Sequence, residues 1–225
     1  MSATLVMPKR SNAYEVDASI KQNINDIIEN LIASLPDPNS LTSAERRGII
    51  ARYSSVLEGN FIYWMTASLI AVQSDEARPI LLENLYEEVR DAHPAMLRRF
   101  AIAAKAFPTD TDALAVDEDM TKVRLFLGRL SAVQSVVTMA FFEGYIQRFM
   151  GYLADLAARQ GSTEMEYTDV HGVCDVEHTE GLFSALAIEM AVNPLDPDQD
   201  LYEGVHLLRT LMQAIVSGPA TNLAA

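Results

Sequence analysis

The chain of 225 residues has one cysteine, one tryptophan, ten glycines and nine prolines. A lone Cys174 allows no internal disulfide, which suits a reducing compartment. Glycine and proline fall below the roughly 12% of average sequences and gather at a few points, the pattern that long helices leave. Basic residues are scarce as well: 17 Lys and Arg stand against 31 Asp and Glu, a formal net charge of −14. A surface of that sign repels phosphate backbones and anionic headgroups, so neither nucleic acid nor a membrane is an expected partner. The longest apolar-rich runs, around 61–72 and 130–142, fall short of the roughly 18–20 residues that span a bilayer. Lys9 and Arg10 have no apolar stretch behind them, so a secretory signal is not expected. Residues 1–17 read as a flexible segment and the protein as cytoplasmic.

What is present points to one folded domain over 1–225. Hydrophobic residues make up 49% and charged residues 21%, which excludes disorder as the main state. Apolar positions recur with the helical period from 18 to 35, where Ile20, Ile24, Ile27, Ile28, Leu31 and Ile32 share a face. Pro36 and Pro38 end that segment. Thr42 with Glu45 reads as a capping box opening a helix to about 73. Further helices are expected over 76–90, 95–107, 119–159, 171–190 and 200–217, with 108–112 a loop. The expectation is an all-α fold, one bundle of seven or eight helices.

Chemistry can sit where polar groups break these apolar faces. On a helix, positions i, i+4 and i+7 lie within about 60° of one another. His171, Asp175 and His178 therefore form one stripe of candidate metal ligands, with a solvated polar stripe as the alternative. Glu143 stands in a run that is apolar on nearly all sides, where a carboxylate needs a partner: a metal, or Arg148 or Arg129. Glu58 makes the same argument more weakly, since Gly59 and Asn60 can mark a kink. Pro94 breaks the helix before it, so His93 can turn toward whatever that helix faces. Among the nearby acids, Glu83 and Glu87 share a face and Glu88 lies about 100° away, and spacing does not choose among them. Carboxylates and imidazoles from four helices suit a carboxylate-bridged pair of metal ions, and oxygen with imidazole donors favours iron or manganese.

The stretch from Leu81 to Glu88, His93 soon after it, Phe141-Phe142-Glu143 and the His171-x3-Asp175-x2-His178 set resemble the heme-oxygenase-like diiron oxidases, over about residues 41–190. The resemblance implies a heme-oxygenase-like bundle holding two Fe(II) per chain, with O2 as co-substrate. It marks Glu88, His93, Glu143, His171, Asp175 and His178 as metal ligands and Glu58 as a seventh, movable carboxylate. The gap from Glu88 to His93 is shorter than the family pattern, which keeps Glu87 and Glu83 open in place of Glu88. The implied function is a non-heme diiron oxygenase or oxidase acting on a small metabolite, an amino acid or a derivative of one. N-oxygenation, C–C cleavage and alkene or nitrile formation in a biosynthetic pathway are the reaction types it suggests.

Two other readings keep the helices. One is a cofactor-independent enzyme resembling the thiamin-salvage or quinone-cofactor branches of the same fold, with Cys174 as nucleophile. The other is an iron-buffering or partner-binding protein without turnover. Arg148, Arg98, Arg99 and Arg124 are candidates to hold a substrate carboxylate. Tyr86 and Tyr145 are candidate redox tyrosines, and His206 has no ligand-spaced partner. A homodimer is compatible with the acidic surface, though no residue marks an interface.

Overall fold

The computed structural model describes residues 16–218, so the segment expected to be flexible, 1–17, lies almost wholly outside them. The described residues form nine helices and no strand: α1 (Ala18–Ala33), α2 (Ser43–Ala71), α3 (Arg78–Arg90), α4 (His93–Ala103), α5 (Asp110–Leu114), α6 (Asp117–Leu127), α7 (Ala132–Arg159), α8 (Glu166–Val192) and α9 (Glu203–Ser217). None of the described helices is long and apolar enough to cross a membrane.

The axis of the bundle is α7, in which every residue from 132 to 146 is buried. An all-round apolar helix must be enclosed by others, and α8, α2, α9 and α1 pack around it. The Ile20–Ile24–Ile28–Leu31 stripe seats α1 on this core. The capping box is present at the start of α2, where the Glu45 carboxylate accepts the Thr42 backbone N–H at 2.7 Å.

Two more helices than the sequence indicates have local causes. The α5 helix begins within the expected loop over 108–112, because Thr109 and Asp112 form a second capping box and buried Asp112 also pairs with Arg47 at 2.7 Å. The expected single helix over 119–159 is divided into α6 and α7. Leu130 adopts a left-handed conformation, φ 56°, after Gly128 caps α6, although the apolar pattern continues across the break.

Two other departures shape the site. Helix α2 kinks at Glu58 and Gly59, where Gly59 takes φ 86°. Between α3 and α4, Ala92 is left-handed (φ 55°), which is uncommon for a residue with a Cβ. That turn starts α4 at His93 and directs its ring back toward α3.

Close packing at α9 gives a stability prediction. A Cβ on Gly204 would lie 2.2 Å from Thr138 Oγ1 and 2.3 Å from Phe126 Cε1. Gly204→Ala is expected to destabilise the fold by about 1–3 kcal/mol through overpacking, read as a lowered midpoint in thermal unfolding. An unchanged midpoint would contradict the tight α9 crossing.

Candidate metal centre

Four helices bring six side chains together in the interior. Glu88 comes from α3, His93 from the first residue of α4, Glu143 from the middle of α7, and His171, Asp175 and His178 from one stripe of α8. All six are buried, Asp175 completely.

On one side of the cluster, His93 Nδ1 lies 2.7 Å from Glu88 Oε1, and His171 Nε2 lies 3.6 Å from the same oxygen. His171 Nδ1 donates to the Tyr167 carbonyl at 2.8 Å. A carbonyl can only accept, so Nδ1 carries a proton, and Nε2 is the nitrogen turned toward the Glu88 carboxylate.

The other side follows the same logic. His178 Nε2 donates to Glu87 Oε2 at 2.9 Å, which leaves Nδ1 as the lone-pair nitrogen of the neutral ring. That Nδ1 faces Asp175 Oδ1 at 3.7 Å and Glu143 Oε1 at 3.9 Å. Glu143 Oε1, Asp175 Oδ2 and His178 Nδ1 are buried with no hydrogen-bond partner among the described residues. Acceptors that converge without a donor are costly unless a cation or proton lies among them.

The acidities follow from this crowding. Burial, then the charges of Asp175 and Glu88, push the Glu143 carboxyl well above the usual carboxylate range. Burial pushes Asp175 up to about 6, against the opposing pull of His171. Burial would also raise Glu88, but hydrogen bonding and charge from His171 and His93 outweigh it and bring this carboxyl to about 2. His171 stands above its usual value, because Glu88 and Asp175 outweigh the burial that disfavours its charged form.

The remaining candidates lie elsewhere. Glu58 is at the α2 kink, part-exposed, and pairs with Arg98 of α4, so the structure does not bring it to the cluster. Glu83 is exposed, and Glu87 touches the cluster only through the outer nitrogen of His178. Arg99 pairs with Glu166, Arg124 donates to Asn60, and Arg148 donates to Asn25. Tyr86 is exposed beneath the Arg90 guanidinium, and Tyr145 is buried in a stack with Phe149. Cys174 donates to Asp175 Oδ1, and burial pushes its thiol up, away from the thiolate a nucleophile requires.

Tyr167 is a site residue that spacing alone did not single out. Its ring centroid lies 4.2 Å from that of His171, and its hydroxyl bonds Tyr53 at 2.8 Å. The available signal was its place one turn before His171 on the same face.

Oxygen and imidazole donors, three of whose atoms lack partners, fit a divalent metal, and the thiol beside them is not needed. Glu87 would then orient a ligand from outside. Glu87→Gln is expected to weaken metal binding about 10–100-fold, measured by anaerobic titration with ferrous iron, and unchanged affinity would remove Glu87 from the site.

No curated protein matches the chain. A family model described as iron-containing redox enzyme matches residues 51–210, most of the chain and all of the cluster. With its all-helical, heme-oxygenase-like bundle, the chain belongs to the family of iron-containing redox enzymes.

Proposed function

We propose that the protein is a non-heme diiron oxidase or oxygenase that uses O2 to oxidise a small metabolite, an amino acid or a derivative of one. The observation that carries the reading is that Glu143 and Asp175 both meet His178 Nδ1, while Glu143 Oε1, Asp175 Oδ2 and His178 Nδ1 are each buried without a hydrogen-bond partner among the described residues. Glu88, His93, Glu143, His171, Asp175 and His178 would hold two Fe(II). Iron held there supplies the electrons for reducing O2, and hence the oxidising power that the side chains themselves lack.

The chain's own contribution is orientation and exclusion of water. Tyr167 fixes the tautomer of His171 through its carbonyl, and Glu87 fixes that of His178. A narrow cleft, partly open to solvent, reaches Glu88, His93, Glu143, His171 and Asp175. Its other walls are apolar, which keeps competing water from the reacting groups and strengthens each charge interaction inside.

The reading is tested by oxygen uptake. Protein loaded anaerobically with Fe(II) and then given O2 is expected to consume it in proportion to the iron bound. Metal-free protein and a His171→Ala, His178→Ala double variant are expected to consume none. Equal uptake by all three would overturn the reading, and iron binding with no uptake would favour an iron-buffering protein.

A further inference from the structure

The two ends of the cluster differ in donor chemistry. Glu88, His93 and His171 offer one oxygen and two nitrogens, all buried and within 4.8 Å of one another. At the other end Cys174, Asp175 and His178 offer a sulfur, an oxygen and a nitrogen, also within 4.8 Å of one another. Cys174 is the single cysteine of the chain and is half-buried. It precedes Asp175 by one residue and His178 by four, so its thiol and the His178 ring are neighbours one turn apart on α8.

A thiol by itself marks nothing, but the groups around this one lack partners. Asp175 Oδ2, His178 Nδ1 and Glu143 Oε1 are buried with no hydrogen-bond partner among the described residues. Glu87 holds the outer nitrogen of His178, which leaves Nδ1 to face inward. The separations suit one small ion. Bonds of about 2.3 Å from zinc to sulfur and about 2.0–2.1 Å to nitrogen or oxygen make a tetrahedron with edges of about 3.3–3.6 Å. Cys174 Sγ lies 3.2 Å from Asp175 Oδ1, and His178 Nδ1 lies 3.7 Å from the same oxygen. Glu143 Oε1 lies 3.9 Å from His178 Nδ1. Small inward movements of these side chains would close the tetrahedron.

We propose that Cys174, Asp175, His178 and Glu143 form a tetrahedral site for a thiophilic divalent ion, zinc above all, which competes with iron for this end of the centre. Binding exchanges the S–H bond of the thiol for a sulfur–zinc bond; the proton passes to water, and no atom changes oxidation state. A given donor set holds zinc more tightly than ferrous iron, and a thiolate widens that preference. Zinc has no redox chemistry, so zinc at this end replaces an iron with an ion that supplies no electrons. The other end has no sulfur and discriminates less. The inference rests on the reading of the cluster as a metal centre, and it adds to that centre a thiolate and a choice between metals.

Cobalt(II), which takes tetrahedral zinc sites and absorbs light, tests it on metal-free protein under anaerobic conditions. A thiolate on cobalt gives a charge-transfer band in the near ultraviolet. That band is expected in the wild type, and added zinc is expected to abolish it by displacement. Cys174→Ser is expected to lack the band. It should also bind zinc at least about tenfold more weakly relative to ferrous iron, since even an outer partner of a ligand is worth that much. Cobalt bound to the wild type without the band would overturn the proposal, whatever the variant does. An unchanged preference for zinc in Cys174→Ser, or a wild type that binds neither zinc nor cobalt, would overturn it too. Two ferrous ions taken up by a wild type that shows no thiolate band would keep the iron reading and remove Cys174 from the metal. A thiolate band in a protein that takes up no ferrous iron would instead refute the iron reading and leave the zinc site as assigned.

Discussion

Replacing Glu143 by glutamine is expected to make the metal-free protein more stable while removing its capacity for iron. The carboxylate sits in the middle of α7, buried, with Oε1 unpartnered, and burial together with the nearby charges of Asp175 and Glu88 makes it a weaker acid than usual. Replacing buried ionic groups by neutral ones of similar volume can stabilise a fold by about 1–4 kcal/mol, and Gln keeps the shape while sparing the cost of holding a proton on a buried acid. The gain depends on pH in a definite direction. Native Glu143 and Asp175 hold protons that the unfolded chain has already released, so the stability of the metal-free wild type falls as pH rises above the ordinary carboxylate range, the Asp175 part of that loss being complete beyond about pH 6. Glu88 acts in the opposite sense. Its native value near 2 lies below the unfolded one, so its contribution is present above about pH 4.5 and is lost as pH falls toward 2. The advantage of Glu143→Gln therefore grows as pH rises above the ordinary carboxylate range and shrinks toward about pH 4. Denaturant midpoints across that range measure it. A variant less stable than the wild type at pH 7 would mean that the carboxylate has a stabilising partner.

The converse result is expected when metal is supplied. Ferrous iron at one hundred times its dissociation constant stabilises the native state by about 2.7 kcal/mol per independent site. For a chain of this length that corresponds to a rise of about 5–11 °C in the unfolding midpoint. The rise should be reversed by a chelator and absent in Asp175→Ala, because Asp175 lies beside both His171 and His178 on the α8 stripe. A midpoint insensitive to anaerobic iron would contradict the metal centre whatever the fate of the enzymatic reading.

Much of this arrangement is legible in the sequence because α-helices impose a fixed period. The inward stripe of α1, the capping box of α2 and the joint projection of His171, Asp175 and His178 all follow from residue spacing. The isolated acid at 143 is legible for a different reason, since an unpunctuated apolar run predicts burial on every side. Where backbone leaves the helical region, spacing loses its meaning. Left-handed Ala92 alone sets where His93 points, and His93 in turn favours Glu88 over Glu87 or Glu83. The kink at Gly59 carries Glu58 away from the cluster to Arg98, a pairing between residues forty positions apart that no local pattern encodes. Leu130 divides one apolar pattern into two helices, and Asp112 draws an expected loop into α5 through Arg47. Glu87 was legible as an acid near the site, but its role on the outer nitrogen of His178 depends on how α3 meets α8.

The most direct test is the amount of ferrous iron retained per chain after anaerobic loading and removal of unbound metal. The account predicts two irons in the wild type, with at least one lost on truncating His171 or His178 to alanine. A wild type that retains none, or truncated variants that retain as much as the wild type, would contradict it.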